Sequence, residues 1–468
     1  MSQEIGLIGL GRIGHNLALN MIEHNVSLRA WDHSTNTCNR VRTICPELQI
    51  SNSIEELIDT LSSPRRIMLL LPSGDNSEQC IKKLSNILEQ GDLIIDSGNA
   101  HFRDTERRQS RLAKQGIQFL GLGVSGGVQG ARNGPSIMAG GTTKAWGEVS
   151  PILESISARA NGPPCAGYIG EGGAGHFIKI VHNGIEYAVM QILADVFELL
   201  YKGCRMHADK IAEIFYTLNS GSTASYLMEA SAKVSAIRER GKKAFLIDFV
   251  DDRAEQKGTG SWAVEAAFEL GVSVPTIAAA VQFRTISNEA RLIKHEKNNP
   301  TDNISAPTFL PKEVTPFIKS GIACAIASAY AQGFSLINAA RDQFGTTINL
   351  CRIAQLWRSG SILRGEMINL IAESLHGESN YANILSTSHI QPLISEGIIP
   401  LRELVKTGLS VGLPLPGLSS ASEYIDSLNQ LQLSTRFIQL QRDYFGNHGF
   451  RLIGQDTLEN GPWNQDDS

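Results

Sequence analysis

A lysine and a glutamate with the spacing of an acid–base pair lie in one segment of the chain, residues 174–202. The segment carries four polar residues at positions i, i+3, i+4 and i+7: Lys179, His182, Asn183 and Glu186. Seven residues of α-helix make almost two turns, so the lysine and the glutamate share one side of a helix, with Cα atoms about 10 Å apart along its axis. The apolar residues around them favour a functional pair, because polar groups in an apolar setting are either partnered or functional. The alternative is a solvated face that carries an unrelated lysine and glutamate.

A glycine-rich turn near the start of the chain indicates a binding site for a dinucleotide. Its residues fit the pattern G-x-G-x-x-G: Gly9, Leu10, Gly11, Arg12, Ile13 and Gly14. The turn follows a predicted strand and opens a predicted helix, so the backbone can approach a pyrophosphate whose charge is met by N–H groups at the helix N-terminus. Asp32 ends the next predicted strand, 18 residues after Gly14, where a carboxylate can accept hydrogen bonds from a ribose 2′-hydroxyl. The alternative is a tight turn beside an unrelated surface acid.

Two further glycine-rich stretches are candidates for anion binding. Residues 123–130 follow a predicted strand, where backbone N–H groups and the Ser125 hydroxyl suit an oxyanion, although a flexible linker fits the residues equally well. Residues 257–260, Lys-Gly-Thr-Gly, precede a predicted helix at 263–270 and fit either a capped helix start or a phosphate cradle. The spacing alone leaves both alternatives open.

Hydrophobic periodicity predicts the elements that must position these residues. In the first third, short apolar runs alternate with helical stretches, which is typical of a parallel sheet with crossover helices. The predicted strands are Ile5–Leu10, Val26–Asp32, Arg66–Leu71, Leu93–Asp96 and Ile117–Gly121. The predicted helices between them are Asn16–Glu23, Ile54–Leu61, Glu78–Leu88 and Thr105–Gln115. The pattern indicates a doubly wound α/β dinucleotide-binding domain of the Rossmann type over residues 1–173.

The rest of the chain has helical spacing. From about Gly173 the strand signal fades, which predicts a large all-α domain over residues 174–434. Its first segment, Ala174–Lys202, has an apolar stripe and is predicted to be a central packing helix. Residues 435–468 lose periodicity after Phe445 and are predicted to form a C-terminal tail. Residues 320–340 carry no charge and are as long as a bilayer span, but their Ser, Gln, Asn and Gly content favours a buried helix over a membrane segment.

Composition excludes several classes of protein. The 468 residues carry 42 Lys and Arg against 47 Asp and Glu, and the net charge of −5 excludes a general nucleic-acid binder with a basic surface. An apolar fraction of 42% is that of a globular protein. The seven cysteines form no Cys-x-x-Cys pair, which indicates reduced thiols rather than a zinc or redox site. Because the N-terminus also lacks the cationic start of a secretory signal, we expect a cytoplasmic protein that binds no membrane.

These motifs, in this order, resemble those of decarboxylating 6-phosphogluconate dehydrogenases along nearly the whole chain, from about residue 4 to 463. The resemblance rests on GLGRIGHNLALNM near the start, DSGNAHFRDT at 96–105, GVSGGVQGARNGPSIMAGG at 123–141, GAGHFIKIVHNGIEY at 173–187, KGTGSW at 257–262, LWRSGSILR at 356–364 and QRDYFGNHGF at 441–450. It implies a dinucleotide-binding domain, an all-helical domain that forms a homodimer, and a tail that reaches into the partner subunit's active site.

The resemblance also implies roles for individual residues. It makes Lys179 the general base and Glu186 the general acid. It places around the sugar acid Asn99, Ser125, Gly126, Gly127, His182, Asn183 and Tyr187, and Asn99 also near the coenzyme. It places at the phosphate group Lys257, Thr259 and Arg284, with Arg442 and His448 supplied by the tail of the other chain.

The implied reaction converts 6-phosphogluconate to ribulose 5-phosphate and CO2. Lys179 takes the C3 hydroxyl proton as hydride leaves C3 for nicotinamide, which gives a 3-keto acid. This acid loses CO2, the Lys179 ammonium returns a proton to the C3 oxygen, and Glu186 protonates C1 of the product. No metal ion is required, and the pKa of Lys179 must be lowered for it to act as a base near pH 7. The alternatives are the same chemistry on another phosphorylated or phosphonylated 3-hydroxy acid, and a non-catalytic dinucleotide-binding paralogue.

Two coenzyme positions depart from the family pattern. Members that use NADP usually carry Asn-Arg-Thr after the second strand, where the arginine meets the 2′-phosphate; here the triplet is Asp32, His33 and Ser34. A lysine-containing triplet after the third main strand is replaced by Leu71, Pro72 and Ser73. A carboxylate repels a 2′-phosphate and both positive partners are missing, so the sequence predicts a preference for NAD, although NADP is the family norm. Arg29 and Arg40 are the candidates for a compensating charge.

Overall fold

The computed structural model describes residues 4–255, 258–296, 309–344, 348–376 and 383–464. Two compact units make up the chain, Met1–Ala421 and Ser422–Ser468. The first unit contains an eight-stranded sheet and most of the helices, and the second contains the last helix and a two-stranded ribbon.

The large sheet is doubly wound. Its strands, in chain order, are β1 (Glu4–Ile8), β2 (Ser27–Trp31), β3 (Gln49–Ile50), β4 (Arg66–Leu69), β5 (Leu93–Asp96), β6 (Gln118–Ser125), β7 (Ser136–Gly141) and β8 (Ala166–Gly170). They lie in the order β3-β2-β1-β4-β5-β6-β7-β8, and neighbouring strands are parallel except for β6 and β7. Because the order reverses between β1 and β4, a crevice opens at the carboxyl ends of these strands, which is where such sheets bind ligands.

Helices cover both faces of this sheet. The sheet helices are α1 (Arg12–Glu23), α2 (Thr35–Ile44), α3 (Ile54–Asp59), α4 (Asp75–Ser85), α5 (Phe102–Ala113), α6 (Gly127–Asn133) and α7 (Thr143–Ser155). Apolar residues of α1 and α7 pack in one core layer, and those of α3, α4 and α5 pack in the other. Successive strand residues point to opposite faces, so Ile94 of β5 joins one layer and Ile95 joins the other.

The remaining helices follow the sheet in sequence. They are α8 (Ala174–Glu198), α9 (Ala208–Leu218), α10 (Tyr226–Ser235), α11 (Thr259–Glu269), α12 (Pro275–Glu296), α13 (Pro311–Ala339), α14 (Leu350–Trp357), α15 (Glu366–Ser374), α16 (Gln391–Ser410), α17 (Pro416–Leu428) and α18 (Thr435–Gly446). A single π-helical turn, Leu199–Gly203, continues α8. The predicted fold class, a Rossmann-type domain followed by a mostly helical region, is confirmed.

Three strands of the large sheet were missed by the sequence analysis, and one was cut short. β3 has two residues, and β7 and β8 are rich in glycine and alanine, which have low strand propensity; packing beside buried neighbours overrides that propensity. The predicted strand that ended at Gly121 extends to Ser125, because residues 120–125 pair with β7. The flexible-linker alternative for residues 123–130 is therefore wrong: a strand holds Ser125, and the turn into α6 begins at Gly126, with a φ of 124°.

Glycines allow α8 to lie directly on the sheet. A Cβ atom on Gly175 of α8 would come within 2.5 Å of the Met138 carbonyl oxygen and 2.6 Å of the Gly140 amide nitrogen. A Cβ atom on Gly123 of β6 would lie 2.6 Å from the Lys179 Cβ. The absence of these side chains lets the first turns of α8, and with them Lys179, approach the carboxyl end of β6.

The variant Gly175→Ala is expected to lose at least about 1–3 kcal/mol of unfolding free energy, because its Cβ would press on backbone atoms that cannot move away cheaply. Gly147→Ala in α7 is the matched control. Apart from its chain neighbours and the nearby backbone of α7, no described atom lies within 4 Å of that Cβ position, so alanine should stabilise α7 by about 0.4–1 kcal/mol. Denaturant unfolding of both variants measures the difference, and a Gly175→Ala protein as stable as its parent would contradict the close packing of α8.

Helix α13 contains the predicted buried segment. Among the described residues it is the one helix long and apolar enough to cross a membrane, and 89% of its most apolar window is buried inside the protein. It packs mainly against α16 and α8. Its apolar side chains are therefore covered by neighbouring helices.

The second unit is organised around one carboxylate. After α18 it forms a ribbon of β9 (Phe450–Arg451) and β10 (Leu458–Glu459). The buried Asp443 accepts hydrogen bonds from the N–H groups of Gly449 and Gly461 and from the Trp463 indole. These bonds, the one from Gly461 foremost, lower the pKa of Asp443 to about 2. Residues 446–464, which show no periodicity in the sequence, are thus ordered around this side chain.

Candidate active site

One cavity of about 840 Å³ in the first unit brings most of the predicted site residues together. Loops at the carboxyl ends of β1, β4, β5 and β6 line it, as do α8, α11 and α12. The predicted residues on its wall are Gly11, Arg12, Ile13, Gly14, Leu71, Pro72, Asn99, Ser125, Gly126, Gly127, Lys179, Asn183, Glu186, Tyr187, Thr259 and Arg284. The glycine-rich turn and the acid–base pair therefore share one site.

Backbone geometry at the glycine-rich turn fits a dinucleotide. Gly9 has a φ of +103°, and a Cβ atom there would lie 2.5 Å from the Leu70 carbonyl oxygen. Gly14 packs directly against Gly9. At Gly11, by contrast, no described atom lies within 4 Å of the Cβ position, and this residue lines the cavity immediately before α1. A side chain at Gly11 would fill the space that a pyrophosphate needs beside the helix N-terminus.

The Asp32 carboxylate is engaged inside the protein. Its Oδ2 accepts a hydrogen bond from the Leu10 N–H at 2.7 Å, and its Oδ1 accepts one from the Ser34 N–H at 2.8 Å. Only 9% of Asp32 is exposed, whereas the neighbouring His33 side chain is 83% exposed. Asp32 therefore fixes the glycine-rich turn to the end of β2, a use that the sequence did not reveal. The predicted coenzyme residues outside the cavity wall are Gly9, Leu10, Asp32, His33, Ser34 and Ser73.

Lys179 and Glu186 line the cavity from one side of α8. Lys179 is 8% exposed, and burial lowers the pKa of its amine to about 8 against the opposing effect of the Glu186 carboxylate. Burial raises the pKa of Glu186 against the opposing effects of Lys179 and Arg284. A lowered amine pKa lets Lys179 accept a proton near neutral pH, and a raised carboxyl pKa lets Glu186 donate one. Both shifts are those that a base and an acid require.

His182 lies behind the cavity wall, with 0% exposure. Its Nε2 is 2.9 Å from Ser125 Oγ, its Nδ1 is 3.3 Å from Asn183 Oδ1, and the Ile362 N–H donates to Ser125 Oγ at 3.3 Å. Burial, reinforced by the Lys179 amine, lowers the His182 pKa well below its usual value, so the ring is neutral. The ring donates its Nδ1–H to Asn183, and its Nε2 accepts the Ser125 hydroxyl proton. The Ser125 oxygen accepts the Ile362 N–H, so all three contacts are satisfied. Ser125 then keeps a lone pair for a ligand.

Another part of the cavity suits a phosphate group. Thr259 is the first residue of α11, directly after Gly258, which has a left-handed φ of 83°. Arg284 of α12 stacks on the Tyr187 ring, with its Cζ 3.5 Å from the ring centre. A helix N-terminus and a guanidinium group together attract an anion. Lys257, which was predicted for the same phosphate, lies outside the described residues.

Arg442 and His448 belong to the second unit, where both side chains are exposed. Arg442 precedes Asp443 in the chain, and His448 precedes Gly449, whose N–H donates to Asp443. Their predicted role is at the phosphate site of the partner subunit.

The cavity wall also contains residues that sequence reasoning missed: Leu70, Ser97, Gly98, Val124, Met190, Glu255 and Ile362. Ser97 and Gly98 lie inside the DSGN stretch and Ile362 inside LWRSGSILR, but no residue type marked them as ligands. Met190 follows Glu186 by four residues on the same helix, so the spacing of α8 would have predicted it. The signal for Glu255 lay only in its closeness to Lys257 in the sequence.

Comparison with known proteins accounts for this combination of sites. Residues 4–170 match the family profile for the NAD binding domain of 6-phosphogluconate dehydrogenase. Residues 175–463 match the profile for the 6-phosphogluconate dehydrogenase C-terminal domain. The two profiles together span nearly the whole chain.

Full-length relatives include enzymes with either coenzyme. The NADP(+)-dependent decarboxylating 6-phosphogluconate dehydrogenase of Bacillus subtilis is 36% identical over 98% of this chain and 99% of its own. The NAD(+)-dependent decarboxylating enzyme of the same organism is 34% identical over 99% of this chain and 100% of its own. The solved structure of Plasmodium falciparum 6-phosphogluconate dehydrogenase, studied in its apo form and with its cofactor NADP+ and its substrate 6-phosphogluconate, has a TM-score of 0.91 and 30% identity and covers 98% of this chain and 100% of that one. The chain belongs to the decarboxylating 6-phosphogluconate dehydrogenase family.

Proposed function

We propose that this protein catalyses the oxidative decarboxylation of 6-phosphogluconate to ribulose 5-phosphate and CO2, with NAD or NADP as the hydride acceptor. The observation that carries the proposal is the single cavity that Lys179 and Glu186 share with the glycine-rich turn. An amine with a pKa of about 8 and a carboxyl group with a raised pKa line this cavity. One proton can therefore be taken and another given within one site.

The first step needs a base and a fixed substrate. When bound, the nicotinamide coenzyme supplies the acceptor for the hydride that leaves C3 of the sugar acid. Lys179, neutral when the substrate arrives, takes the proton of the C3 hydroxyl. Ser125, held by His182 and Ile362, offers its lone pair to a substrate hydroxyl, and Asn183 lines the cavity one turn after Lys179. These contacts hold the sugar acid in one orientation.

The second step needs proton donors at two atoms. The 3-keto acid loses CO2 because its carbonyl group accepts the electron pair of the breaking C1–C2 bond. The Lys179 ammonium returns a proton to the C3 oxygen as the enediol forms. Glu186 then protonates the carbon that becomes C1 of ribulose 5-phosphate, while the neutral Lys179 takes the proton of the enediol hydroxyl on the former C3, which leaves the ketone of the product. Lys179 now holds the proton that Glu186 has lost, and proton exchange returns both groups to their starting protonation states.

An assay of the purified protein with 6-phosphogluconate and each coenzyme tests the proposal. Reduced coenzyme and CO2 released in equal amounts would support it. Reduced coenzyme obtained only with another phosphorylated or phosphonylated 3-hydroxy acid would assign the same chemistry to a different substrate. Coenzyme binding without turnover of any of them would instead indicate a non-catalytic paralogue.

We also propose that NAD is preferred over NADP. At the end of β2, where NADP-dependent members usually carry an arginine, this chain has the Asp32 carboxylate and the exposed His33. Arg29 is engaged by Glu4 and Gln49 and so does not supply that cation. Arg40, an exposed residue of α2, is the remaining candidate.

The variant His33→Arg is expected to raise kcat/KM with NADP by about tenfold or more and to leave kcat/KM with NAD nearly unchanged. The reason is that a guanidinium at this exposed position can form charge-assisted hydrogen bonds to the 2′-phosphate, worth about 1.5–3 kcal/mol. Steady-state kinetics with both coenzymes measure the change. Arg40→Gln is the control, because loss of NADP activity in this variant would identify Arg40 as a compensating cation. A parent protein with a strong preference for NADP would overturn the proposal.

We propose further that the protein is a homodimer in which the tail of each subunit completes the other subunit's site. The exposed Arg442 and His448 are held by a unit that is ordered around Asp443. Their positive charges would add to those of Arg284 and the α11 N-terminus in the binding of a phosphate group. A cytoplasmic location fits the seven cysteines, which all lie within the described ranges and form no disulfide with one another.

Deletion of the chain after Ser434 is expected to raise the KM for 6-phosphogluconate by about 100-fold or more. The deletion would remove the proposed contacts of Arg442 and His448 to the phosphate. A hydrogen bond from a charged side chain is worth about 1.5–3 kcal/mol. The dissociation constant of NADH should stay within about twofold. The control for a general change in charge is Arg436→Gln, which removes an exposed cation from α18, the helix that carries Arg442. Unchanged substrate affinity in the truncated protein would refute a role for the tail.

A further inference from the structure

A buried ion pair lies beneath two of the loops that line the cavity. Arg108 of α5 is 3% exposed, and its Nη1 is 3.0 Å from Oδ2 of Asp96, which ends β5 and is 2% exposed. The same guanidinium donates through Nε to Glu78 Oε2 at 2.8 Å and through Nη2 to Ser77 Oγ at 3.4 Å. Glu78 and Ser77 lie in the first turns of α4. One side chain therefore ties β5 to α4.

Each of these partners adjoins a loop of the site. Asp96 precedes Ser97, Gly98 and Asn99, which line the cavity, and its Oδ1 accepts a hydrogen bond from the Gly98 N–H at 3.2 Å. Helix α4 follows the loop of Leu71 and Pro72, which also lines the cavity. The two loops touch, since a Cβ atom on Gly98 would lie 2.6 Å from the Leu71 carbonyl oxygen. Arg108 is therefore bonded to the residues that adjoin both loops, Asp96 before one and Ser77 and Glu78 after the other.

The arrangement needs an arginine. The guanidinium group offers donors in a planar fork, and here three of its nitrogens reach acceptors on two different elements. A lysine ammonium at the end of a flexible stem can pair with Asp96 or with Glu78 but cannot hold both in a fixed geometry. Arg111 binds the other oxygen of Glu78, at 2.6 Å, and Arg107 lies 3.7 Å from Oε2, so Glu78 keeps two cationic partners if Arg108 is changed.

Helix α5 is also bonded to the helix that carries the acid–base pair. Thr105 Oγ1 lies 2.6 Å from Nδ1 of the buried His176, which precedes Lys179 by three residues on α8. The helix that holds the two loops is therefore fixed to the start of α8 as well.

We propose that Arg108 is a positioning residue, which fixes the coenzyme-side loop of Leu71 and Pro72 against the substrate-side loop of Ser97, Gly98 and Asn99. It does not line the cavity, so it acts on bound ligands through these loops. The assignment of the loops to coenzyme and substrate rests on the proposed function. A purely structural role would lower stability without changing the ligand constants of the folded protein.

The test compares Arg108→Lys and Glu78→Gln with Arg111→Gln as the control. For Arg108→Lys we expect the KM values for coenzyme and 6-phosphogluconate each to rise about tenfold, with a smaller fall in kcat. For Glu78→Gln, which loosens α4 alone and leaves the buried ion pair intact, we expect a rise of several-fold in the coenzyme KM and an unchanged substrate KM. Arg111→Gln should stay within twofold of the parent in both constants, since it leaves the bonds of Arg108 to Glu78 and to Asp96 in place. All measurements are made well below the melting temperature of each variant.

The outcome is decided by the pattern of constants rather than by stability. Lower melting temperatures with unchanged KM values in both variants would overturn the proposal, as would equal effects of Glu78→Gln and Arg111→Gln. If Arg108→Lys does not fold, the constants of Glu78→Gln decide. This variant should fold, because the Glu78 side chain is one-third exposed and its replacement leaves no buried charge unpaired. The dissociation constant of NADH is measured in parallel for every variant. It tests the link to the coenzyme loop even if the parent protein fails to oxidise 6-phosphogluconate, so the two proposals can fail independently.

Discussion

Replacement of Lys179 by methionine is expected to lower kcat by a factor of about 10²–10⁴ and to change the substrate dissociation constant only a few-fold. Methionine has a similar length and suits a position that is 8% exposed, so the cavity should keep its shape. What is lost is the amine, which takes the C3 hydroxyl proton and later returns one to the C3 oxygen. Because one group serves both steps, oxidation and decarboxylation should fail together.

Single-turnover kinetics and equilibrium binding of 6-phosphogluconate separate these effects. Lys144→Met is the matched control, since Lys144 is an exposed lysine of α7. It should behave like the parent in both measurements. A Lys179→Met enzyme with near-normal kcat would remove Lys179 from the mechanism. A variant that fails to bind substrate would instead assign the lysine to binding, against its role as a base.

The parts of the site that the sequence predicted are those fixed by local geometry. Residues 179 and 186 share one side of α8 because helix periodicity alone relates positions seven apart. The glycine-rich turn is equally local: Gly9, Gly11 and Gly14 each have the surroundings that the motif requires, with Gly11 open toward the cavity. The helix spacing does not depend on how distant segments pack, and the turn does so at Gly9, whose Cβ position lies against the Leu70 carbonyl oxygen.

The parts that were missed depend on contacts across long stretches of chain. The Ile362 N–H that orients Ser125 is 237 residues away in sequence, and the backbone N–H group carries no residue-type signal. Asp32 was correctly predicted at the end of a strand. From the sequence alone, its carboxylate could accept a hydrogen bond from a ribose hydroxyl or from the Leu10 N–H equally well. The folded turn shows that it accepts one from the Leu10 N–H. The buried position of His182 likewise follows from packing against Trp357, with the ring centres 5.3 Å apart.

The second large effect is expected from Glu186→Gln, which should lower kcat/KM by about 10²–10³ and change the shape of its pH profile. In the parent, the reactive form has a neutral Lys179 and a protonated Glu186, so the pair holds one proton. Below the raised pKa of the carboxyl group the pair holds two protons, and above a pH of about 8 it holds none. The profile should therefore be bell-shaped, and its two limbs belong to the coupled pair rather than to either residue.

In Glu186→Gln only the amine titrates, and the base is active when the amine is neutral. The descending limb near pH 8 should disappear, and the remaining activity should rise with pH to a plateau. The midpoint should lie below the parent value of about 8, because the Glu186 carboxylate, which raises the Lys179 pKa, is gone. The control is Glu269→Gln, which changes a half-exposed glutamate of α11 and should keep the bell-shaped pH profile. If the descending limb persists unchanged in Glu186→Gln, Glu186 is not the acid, because the proton lost at high pH must then come from another group.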